Sequence, residues 1–369
     1  MNGKKRDKFI IALFCLFLGG MLLLFVLLPK TAFSEKEKRY LAEAPSLRFA
    51  DILSGRFGTQ AETYAAEHLP GRDFFVGLNA AFEHLTGRQG AKEIFTGRSG
   101  RLYESPAVLD ESAIARKLDA INAFAETAGQ PVTLLLVPEA GYLLADDLPA
   151  HFEPYCDAEI LAAVRAQAGD GVELLDVRDA FADDDARTLY YRTDHHWTSR
   201  GAWLAASLYG GKTGHPLPGE DAYTVTAVPG FYGTTYSRAA LWLTPSETLE
   251  LWDSGGAYTV ENADRPGVHE GLFYREHLSE PDKYPVFLDG NHSLVRIRGE
   301  GAGKLLVIRD SFASCAGGFL ADGWGEVALV DLRYYRGTVS DLLSEGFDNI
   351  LVLYGLRNFM TDGNIGWLE

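Results

Sequence analysis

Short apolar runs that alternate with helical segments constrain the fold of this chain more strongly than any other feature. The clearest run is Val132–Val137, which is closed by Pro138. A strand that is apolar on both faces must be covered on both, so such runs are typical of parallel strands between helical layers. Glu111–Ala128 has a period near 3.6, as an amphipathic helix requires. The alternation predicts an α/β fold of three layers around a parallel sheet. Further strands are predicted over 172–177, 188–193, 304–308, 326–332 and 349–354, and further helices over 157–168, 199–209, 311–320 and 340–345.

Other stretches do not follow this alternation. Residues 210–300 hold short alternating segments broken by glycine, proline, asparagine and aspartate, which predicts a β-rich insertion. Residues 61–85 have helical spacing, and four glycines between 87 and 100 indicate loops or a hairpin. The predicted organisation is a tail (1–8), a transmembrane segment (9–28), a juxtamembrane stalk with helices (29–88) and the α/β domain (89–369).

The transmembrane segment is the run 9–28, where 20 consecutive residues carry no charged or strongly polar side chain. At about 1.5 Å per residue this run spans a bilayer core. Four basic residues lie in the eight positions before it, which places the N-terminus in the cytoplasm and the body outside. We interpret it as a retained signal-anchor of a single-pass membrane protein. A cleaved signal peptide is the alternative, although Pro29-Lys30-Thr31-Ala32 is a poor cleavage site.

Charge and cysteine content exclude some classes of function. The net charge of the 369 residues is −17, and residues 1–30 carry about +4, so the body is strongly acidic. An acidic body repels a phosphate backbone, and general nucleic-acid binding is not expected. Cys156 and Cys315 are expected to be two separate thiols, with a disulfide between them as the alternative. No cysteine or histidine spacing fits a zinc site, so no metal or other cofactor is expected.

Two short motifs carry the chemistry. Asp194-His195-His196-Trp197 follows a predicted strand, and Arg309-Asp310-Ser311-Phe312 follows the apolar run 304–308. Together they supply the hydroxyl, imidazole and carboxylate of a nucleophilic relay, with Ser311 as nucleophile, His196 as base and Asp194 as the group that orients it. In an extended segment alternate residues share a face, which favours His196 over His195 as the partner of Asp194. Both motifs lie at strand ends, where α/β proteins place their sites.

Donors for a developing oxyanion are less sharply defined. The turn at Ser311 offers backbone N–H groups, and Asn358 in Gly355-Leu356-Arg357-Asn358 offers an amide at the end of the last strand. Gly337 and Asn291 are further candidates, although glycine and asparagine are also ordinary loop residues. Exposed aromatic rings can stack on sugars, for which Trp197, Tyr334 and Tyr335 are candidates together with other tryptophans that are equally suited to the core.

The motifs resemble those of known families. A strand followed by Asp-Ser and a helix, then a glycine and Gly-x-x-Asn, resembles the SGNH hydrolases. Asp-x-His-Trp placed before the serine resembles the alginate-type O-acetyltransferases, whose SGNH-like domains are circularly permuted. Asp194-His195-His196-Trp197 with residues 309–312 and 331–335 is similar to the DHHW proteins of bacterial membranes. The resemblance implies a circularly permuted SGNH hydrolase-like fold and a Ser311–His196–Asp194 triad. It also implies acyl-ester chemistry on a cell-surface polysaccharide, beside a membrane-bound O-acyltransferase.

The resemblance leaves several functions open. An esterase uses the same triad with water as the acceptor. Arg309 replaces the usual glycine of Gly-Asp-Ser, where it either binds an anionic substrate group or marks an inactive glycan-binding or scaffold module. A third class is a metal phosphoesterase, because Asp-His-His also occurs in those enzymes, which use several acidic metal ligands ahead of the motif.

Overall fold

The computed structural model describes residues 3–88, 91–150 and 152–368. The chain divides into two compact units, one of Met1–Ala91 with Ala240–Leu243, and one of Lys92–Ala239 with Thr244–Glu369. The division near residue 91 lies close to the boundary that the sequence predicts at residue 88. Each unit is described below by itself.

The first unit begins with a long apolar helix, α1. Its span Lys4–Leu27 is apolar enough and long enough to cross a membrane. None of that span is buried by the rest of the protein. The region 61–85, which the sequence predicts to be helical, lies in two helices that Pro70 and Gly71, the latter at φ 72°, separate. The elements are α1 (Gly3–Leu27), β1 (Phe33–Ser34), β2 (Arg39–Tyr40), α2 (Phe49–Leu53), α3 (Arg56–Glu67) and α4 (Arg72–Leu85).

The second unit opens with a hairpin and then alternates strands with helices, as its sequence predicts. Its first part consists of β3 (Ile94–Thr96), β4 (Leu102–Glu104), α5 (Glu111–Ala128), β5 (Val132–Val137), α6 (Ala140–Leu143), α7 (Asp157–Gln167), β6 (Val172–Leu174), α8 (Arg178–Asp183), α9 (Ala186–Leu189) and α10 (Ser199–Thr213). The middle part consists of β7 (Thr224–Phe231), α11 (Thr234–Ala239), β8 (Glu247–Asp253), β9 (Thr259–Asn262), β10 (Arg265–Glu270) and β11 (Leu294–Arg298). The last part consists of β12 (Lys304–Arg309), α12 (Phe312–Gly323), β13 (Glu326–Val330), α13 (Val339–Leu343), β14 (Asn349–Gly355) and α14 (Leu356–Thr361).

An eight-stranded sheet organises this unit, in the order β10-β9-β11-β13-β12-β14-β5-β6. The five strands from β13 to β6 pair in parallel, as the apolar runs predict. The predicted β-rich insertion adds β11, β9 and β10 to this parallel part as an antiparallel extension, so the whole sheet is mixed. Antiparallel strands need only short connections, so a β-rich insertion extends the sheet without further crossover helices.

The strands alternate their side chains between two apolar cores, one on each face. On β12, Leu305 and Val307 lie in one core, and Leu306 and Ile308 lie in the other. Helices α10 and α12 cover the first face, and α5, α7, α13 and α14 cover the second. The three-layer α/β arrangement is therefore confirmed.

The two cysteines of this unit are free thiols. Cys315 is buried on α12, and Cys156 donates from Sγ to the carbonyl oxygen of Ala107.

Candidate active site

Ser311 occupies the turn from the central strand β12 into α12. Its backbone is helical, at φ −68° and ψ −18°, and its side chain does not cap the helix. The hydroxyl is therefore available, and Oγ lies 2.8 Å from His196 Nε2. Within the residues that the structure describes, the Ser311 backbone N–H has no acceptor. The turn thus presents a hydroxyl and an open N–H donor at the carboxyl edge of the sheet.

Asp194 and His196 complete a continuous hydrogen-bonded chain. His196 Nδ1 lies 2.5 Å from Asp194 Oδ1, and the same oxygen accepts the His196 backbone N–H at 2.9 Å. Burial alone would raise the pKa of Asp194, but the two imidazoles and these hydrogen bonds outweigh it and hold that pKa well below its ordinary value. The ionised carboxylate fixes the proton on Nδ1, which leaves Nε2 free to accept the Ser311 proton.

Aromatic rings clamp the His196 imidazole from both sides. Tyr284 stacks on it at 4.3 Å with an interplanar angle of 12°, and the His195 ring lies 3.9 Å away. Phe312 packs at 4.9 Å, and the His196 residue is only 3% exposed. Tyr284 comes from the insertion and no sequence signal pointed to it. A ring held in this way has little freedom to leave the line between Asp194 and Ser311.

His195 makes a different set of contacts. Its Nδ1 lies 2.7 Å from Thr234 Oγ1, and Thr234 donates from both Oγ1 and its backbone N–H to Asp194 Oδ2, at 3.1 and 2.7 Å. Thr234 begins α11 in the insertion and was not singled out in the sequence. Gly233, directly before it, packs so closely on Asp194 that a β-carbon would overlap that residue.

The segment before Asp194 is not the strand that the sequence predicts over 188–193. Side chains take several of its backbone groups, and the Arg192 carbonyl oxygen accepts the Leu102 N–H of β4 at 2.9 Å. Arg101 donates to the carbonyl oxygens of Tyr190 and Tyr191 at 2.9 and 2.6 Å. Glu247 accepts the Thr193 N–H and the Arg192 N–H, each at 2.7 Å, and also the Thr193 hydroxyl. Both anchoring residues are distant in sequence, which is why local periodicity did not reveal them.

Asp310 ties the serine turn to the end of β14. One carboxylate oxygen accepts the Phe312 N–H at 2.9 Å, and the other accepts the Gly355 N–H at 2.9 Å and Asn358 Nδ2 at 2.7 Å. Burial raises the pKa of Asp310 even though these donors oppose the change. The Gly-x-x-Asn motif therefore lies beside the serine turn, with one amide hydrogen of Asn358 directed at Asp310.

Two further candidates, Trp197 and Arg309, are buried in the packing of the protein. Trp197 is fully buried and donates Nε1 to the Phe312 carbonyl oxygen at 3.0 Å. Arg309 is also fully buried, and its guanidinium donates to Ser314 Oγ at 2.9 Å and to Asn291 Oδ1 at 3.4 Å. Asn291 therefore holds Arg309 through Oδ1, while the exposed Asn291 side chain stays a predicted oxyanion donor.

The remaining candidates lie around the loop after β13. Tyr334 is 47% exposed, with the Arg333 guanidinium 5.5 Å from its ring centre. Tyr335 packs against the core on the face of the sheet that α5 and α7 cover, and Gly337 lies against the Tyr335 ring. None of these three residues lines the pocket beside the triad.

That pocket lies directly next to Asp194 and His195. Its cavity volume is about 40 Å³, and the cleft is open to solvent on one side. Polar and apolar groups share its wall, which is formed by Leu102, Tyr103, Glu104, Val137, Pro138, Glu139, Ala140, Gly141, Tyr155, Asp194, His195, Phe312, Gly355, Leu356, Arg357 and Asn358.

One cluster has ligand atoms close enough to hold a metal ion. Single atoms of Asp194, His195 and His196 lie within 4.8 Å of one another. The ring nitrogens nearest the carboxylate already have oxygen partners, namely Asp194 Oδ1 for His196 and Thr234 Oγ1 for His195. The hydrogen-bonded relay thus accounts for the placement of all three side chains.

Comparisons with known proteins agree with this architecture. Residues 95–213, about a third of the chain, match the family described as the SGNH hydrolase-like domain of the acetyltransferase AlgX. A DHHW family protein from Eubacterium siraeum has 20% identity and a TM-score of 0.65, covering 74% of this chain and 94% of its own. PatB1 of Bacillus cereus, solved with a sulfonyl adduct, has 20% identity and a TM-score of 0.64, covering 75% and 98%.

No curated protein sequence matches the chain. The matched family segment contains Asp194 and His196 and ends before Ser311. The resemblance that the motifs predict is confirmed: the chain carries an SGNH hydrolase-like domain, with the fold of the DHHW family protein and of PatB1.

Proposed function

We propose that this chain is a membrane-anchored, extracytoplasmic O-acyltransferase that transfers an acetyl group to a cell-envelope polysaccharide. The single observation that carries the proposal is the continuous chain from Ser311 Oγ to His196 Nε2, at 2.8 Å, and from His196 Nδ1 to Asp194 Oδ1, at 2.5 Å. Those distances are the ones that proton transfer from a serine to a histidine base requires.

The reaction has two halves at one serine. Ser311 Oγ attacks the carbonyl carbon of the donor ester while His196 Nε2 takes its proton, and Asp194 stabilises the resulting imidazolium. The imidazolium returns that proton to the departing alcohol, which leaves an acyl ester on Ser311. A sugar hydroxyl then gives its proton to His196, attacks the acyl carbon and restores the serine. The open Ser311 N–H and the second amide hydrogen of Asn358 are the proposed oxyanion donors.

The acetyl group and the polysaccharide are supported by similarity. The family matched by residues 95–213 is named for an acetyltransferase, and the segment includes two of the three triad residues. An anchor is supported by α1, and the basic residues before it support the proposal of an extracytoplasmic body. A membrane-bound O-acyltransferase is the proposed partner, because an extracytoplasmic enzyme needs an acyl donor delivered across the membrane.

A fluorophosphonate probe tests the nucleophile. The full-length protein in detergent should be labelled, and Ser311→Ala should abolish the label. Ser344→Ala serves as the matched control, because Ser344 is an exposed serine of the same unit. Labelling should also survive strong chelation, since the relay needs no metal. An unlabelled wild-type protein, or labelling that chelation removes, would contradict the proposal.

Loss of activity in the cell tests the product. Replacing the chromosomal gene with the Ser311→Ala variant should remove O-acetyl groups from the envelope polysaccharide, whereas the Ser344→Ala variant should keep them. Unchanged O-acetyl content with a labelled wild-type protein would favour the esterase alternative, in which water resolves the acyl-enzyme.

A further inference from the structure

The structure assigns a second imidazole to the acceptor. We propose that His195 Nε2 accepts a hydrogen bond from a hydroxyl of an uncharged sugar bound in the pocket beside Ser311, and so favours transfer to sugar over hydrolysis. This inference rests on the proposed function, and it names the class of acceptor that the site takes.

The tautomer of His195 follows from its neighbours. Asp194 is ionised, so the Thr234 hydroxyl, 3.1 Å from Asp194 Oδ2, donates its only proton to that oxygen. The Thr234 oxygen can then only accept, and His195 Nδ1 at 2.7 Å must carry a proton. Burial and the neighbouring His196 imidazole lower the pKa of His195, so its ring is neutral at pH 7. Nε2 is left as a lone-pair acceptor.

That acceptor is open to solvent. Among residues 3–88, 91–150 and 152–368, none provides a partner for His195 Nε2. Nε2 is not among the unpaired side-chain atoms that are fully buried, so it keeps some solvent-accessible surface. The side chain is 21% exposed and forms part of the pocket wall. A bound hydroxyl would replace water there and keep the nitrogen satisfied.

The position suits a ligand that also meets His196. The two ring centres lie 3.9 Å apart. His195 and Phe312, which both pack against His196, line the pocket, and His196 and Ser311 lie directly behind them. A sugar held at His195 would therefore approach Ser311 from the pocket in the second half-reaction. While Ser311 carries the acyl group, His196 Nε2 no longer receives the serine proton and is free for the acceptor. Water can use His196 alone, whereas a vicinal diol can use both rings.

The charges around the pocket favour an uncharged acceptor. Arg357 is paired with Glu93 at 2.7 Å and with Glu104 at 3.8 Å, and Arg238 also binds Glu104. These two arginines are therefore balanced by two glutamates. Asp194 remains ionised at the pocket wall. Glu139 also lines the wall, where burial raises its pKa well above the ordinary value. A site with balanced arginines and further acidic groups attracts a neutral sugar in preference to an anionic one.

Two substitutions distinguish the role of His195 Nδ1 from that of His195 Nε2. His195→Asn keeps a donor near the position of Nδ1 and removes Nε2. His195→Gln places an amide near the position of Nε2. The full-length protein would be given p-nitrophenyl acetate, with methyl glucoside or methyl glucuronide as the acceptor. The nitrophenolate burst reports acylation, and the ratio of acetyl sugar to acetate reports the choice of acceptor.

We expect His195→Asn to lower the burst rate, because the His195 ring also packs on His196, and to lower kcat/KM for methyl glucoside by about 10–100-fold more than the burst rate. His195→Gln should recover part of that loss, and wild type should prefer the glucoside to the glucuronide. Matching melting temperatures for the three proteins would show that each is folded.

Three results would overturn the inference. Unchanged transfer to sugar in His195→Asn would mean that Nε2 does not hold the acceptor. An equal fall in burst rate and transfer would mean that His195 acts through the triad. Preference for the glucuronide would contradict the uncharged acceptor. If the wild type shows no burst and no fluorophosphonate label, the proposed function itself fails, and that outcome is distinct from these three.

Discussion

The two halves of the candidate site are built in opposite ways. Ser311 follows the central strand of the parallel sheet, where regular backbone hydrogen bonds set its position. His196 lies in a segment outside regular secondary structure, which Arg101, Thr234 and Glu247 hold by side-chain bonds. The serine half is therefore positioned by local sequence and sheet topology, and the histidine half by contacts across long stretches of chain. The two halves meet at hydrogen-bond distance, with 2.8 Å between Ser311 Oγ and His196 Nε2.

The strongest test of the comparison removes one reacting group from each half. Ser311→Ala and His196→Ala should each lower kcat by about 10⁶-fold, because members of such a relay act as a unit. The double variant should be no worse than either single one. Steady-state acetyl transfer, with the double variant as the control for additivity, would check this. A His196→Ala enzyme that keeps a tenth of its activity would show that the halves are not coupled.

A second test moves the histidine half without touching a reacting group. Gly233→Ala places a β-carbon against Asp194, and we expect at least about a 100-fold loss of kcat as the carboxylate shifts from His196. Gly211→Ala is the matched control, since Gly211 has open space around its α-carbon and should change activity little.

Fluorophosphonate labelling rates measure this difference directly. Equal rates for Gly233→Ala and Gly211→Ala would mean that Asp194 tolerates displacement. We also expect that no change in pH restores the activity of Gly233→Ala, because the defect is in the position of Asp194 and not in its ionisation.

The difference between the halves also decides what the sequence could predict. Val132–Val137 and Glu111–Ala128 were predicted with the bounds that the structure has, because burial periodicity is a local property. The pairing of His196 with Asp194 was predicted from their spacing, and the geometry agrees with it. The extended conformation over 188–193 was wrong, because the residues that satisfy its backbone lie about 55 to 90 positions away.

The roles of long polar and aromatic side chains were the least predictable. Trp197 and Arg309 were assigned to substrate because both residue types commonly bind sugars or anions. Their burial depends on how β12, α12 and the loop around Asn291 pack together, which no single segment reveals. Tyr284 and Thr234 carried no signal, because the insertion is joined to the triad only in three dimensions.

A third test compares two buried carboxylates, one in each half. Asp310 and Glu247 each accept three donors beside a triad residue. Asp310→Asn and Glu247→Gln each turn an N–H₂ group toward an N–H donor, at a cost of about 1–3 kcal/mol. We expect Glu247→Gln to lose about 10-fold in activity with a small fall in melting temperature. Asp310→Asn should lose mainly stability.

Thermal unfolding and labelling rates, measured on the same samples, check that division. In the reverse pattern, the Glu247 variant would unfold at a lower temperature and the Asp310 variant would be stable but inactive. That result would mean that the sheet does not set the position of Ser311.

The smallest effect on activity is expected from a substitution of Asp157, which lies far from the reacting groups in sequence. Asp157 begins α7 and is fully buried, and burial raises its pKa to about 7. Its Oδ2 accepts the Glu139 backbone N–H at 2.7 Å, while its other oxygen has no partner in the described residues. Holding this group ionised therefore costs free energy in the folded state.

The sign of the pH dependence follows from the two pKa values. Below about pH 4 both states bind the proton, since an unfolded aspartate has a pKa of about 3.9. Between pH 4 and 7 the unfolded state releases it first, so the free energy of unfolding falls as pH rises, and above pH 7 the whole penalty is present. Asp157→Asn, which keeps an oxygen for Glu139, should gain a few kcal/mol over wild type at pH 8 and little at pH 4. Asp170→Asn, at an exposed aspartate, controls for the lost charge. Urea unfolding at the two pH values measures the gain, and a gain that is equal at both would show that Asp157 is not held protonated by the fold.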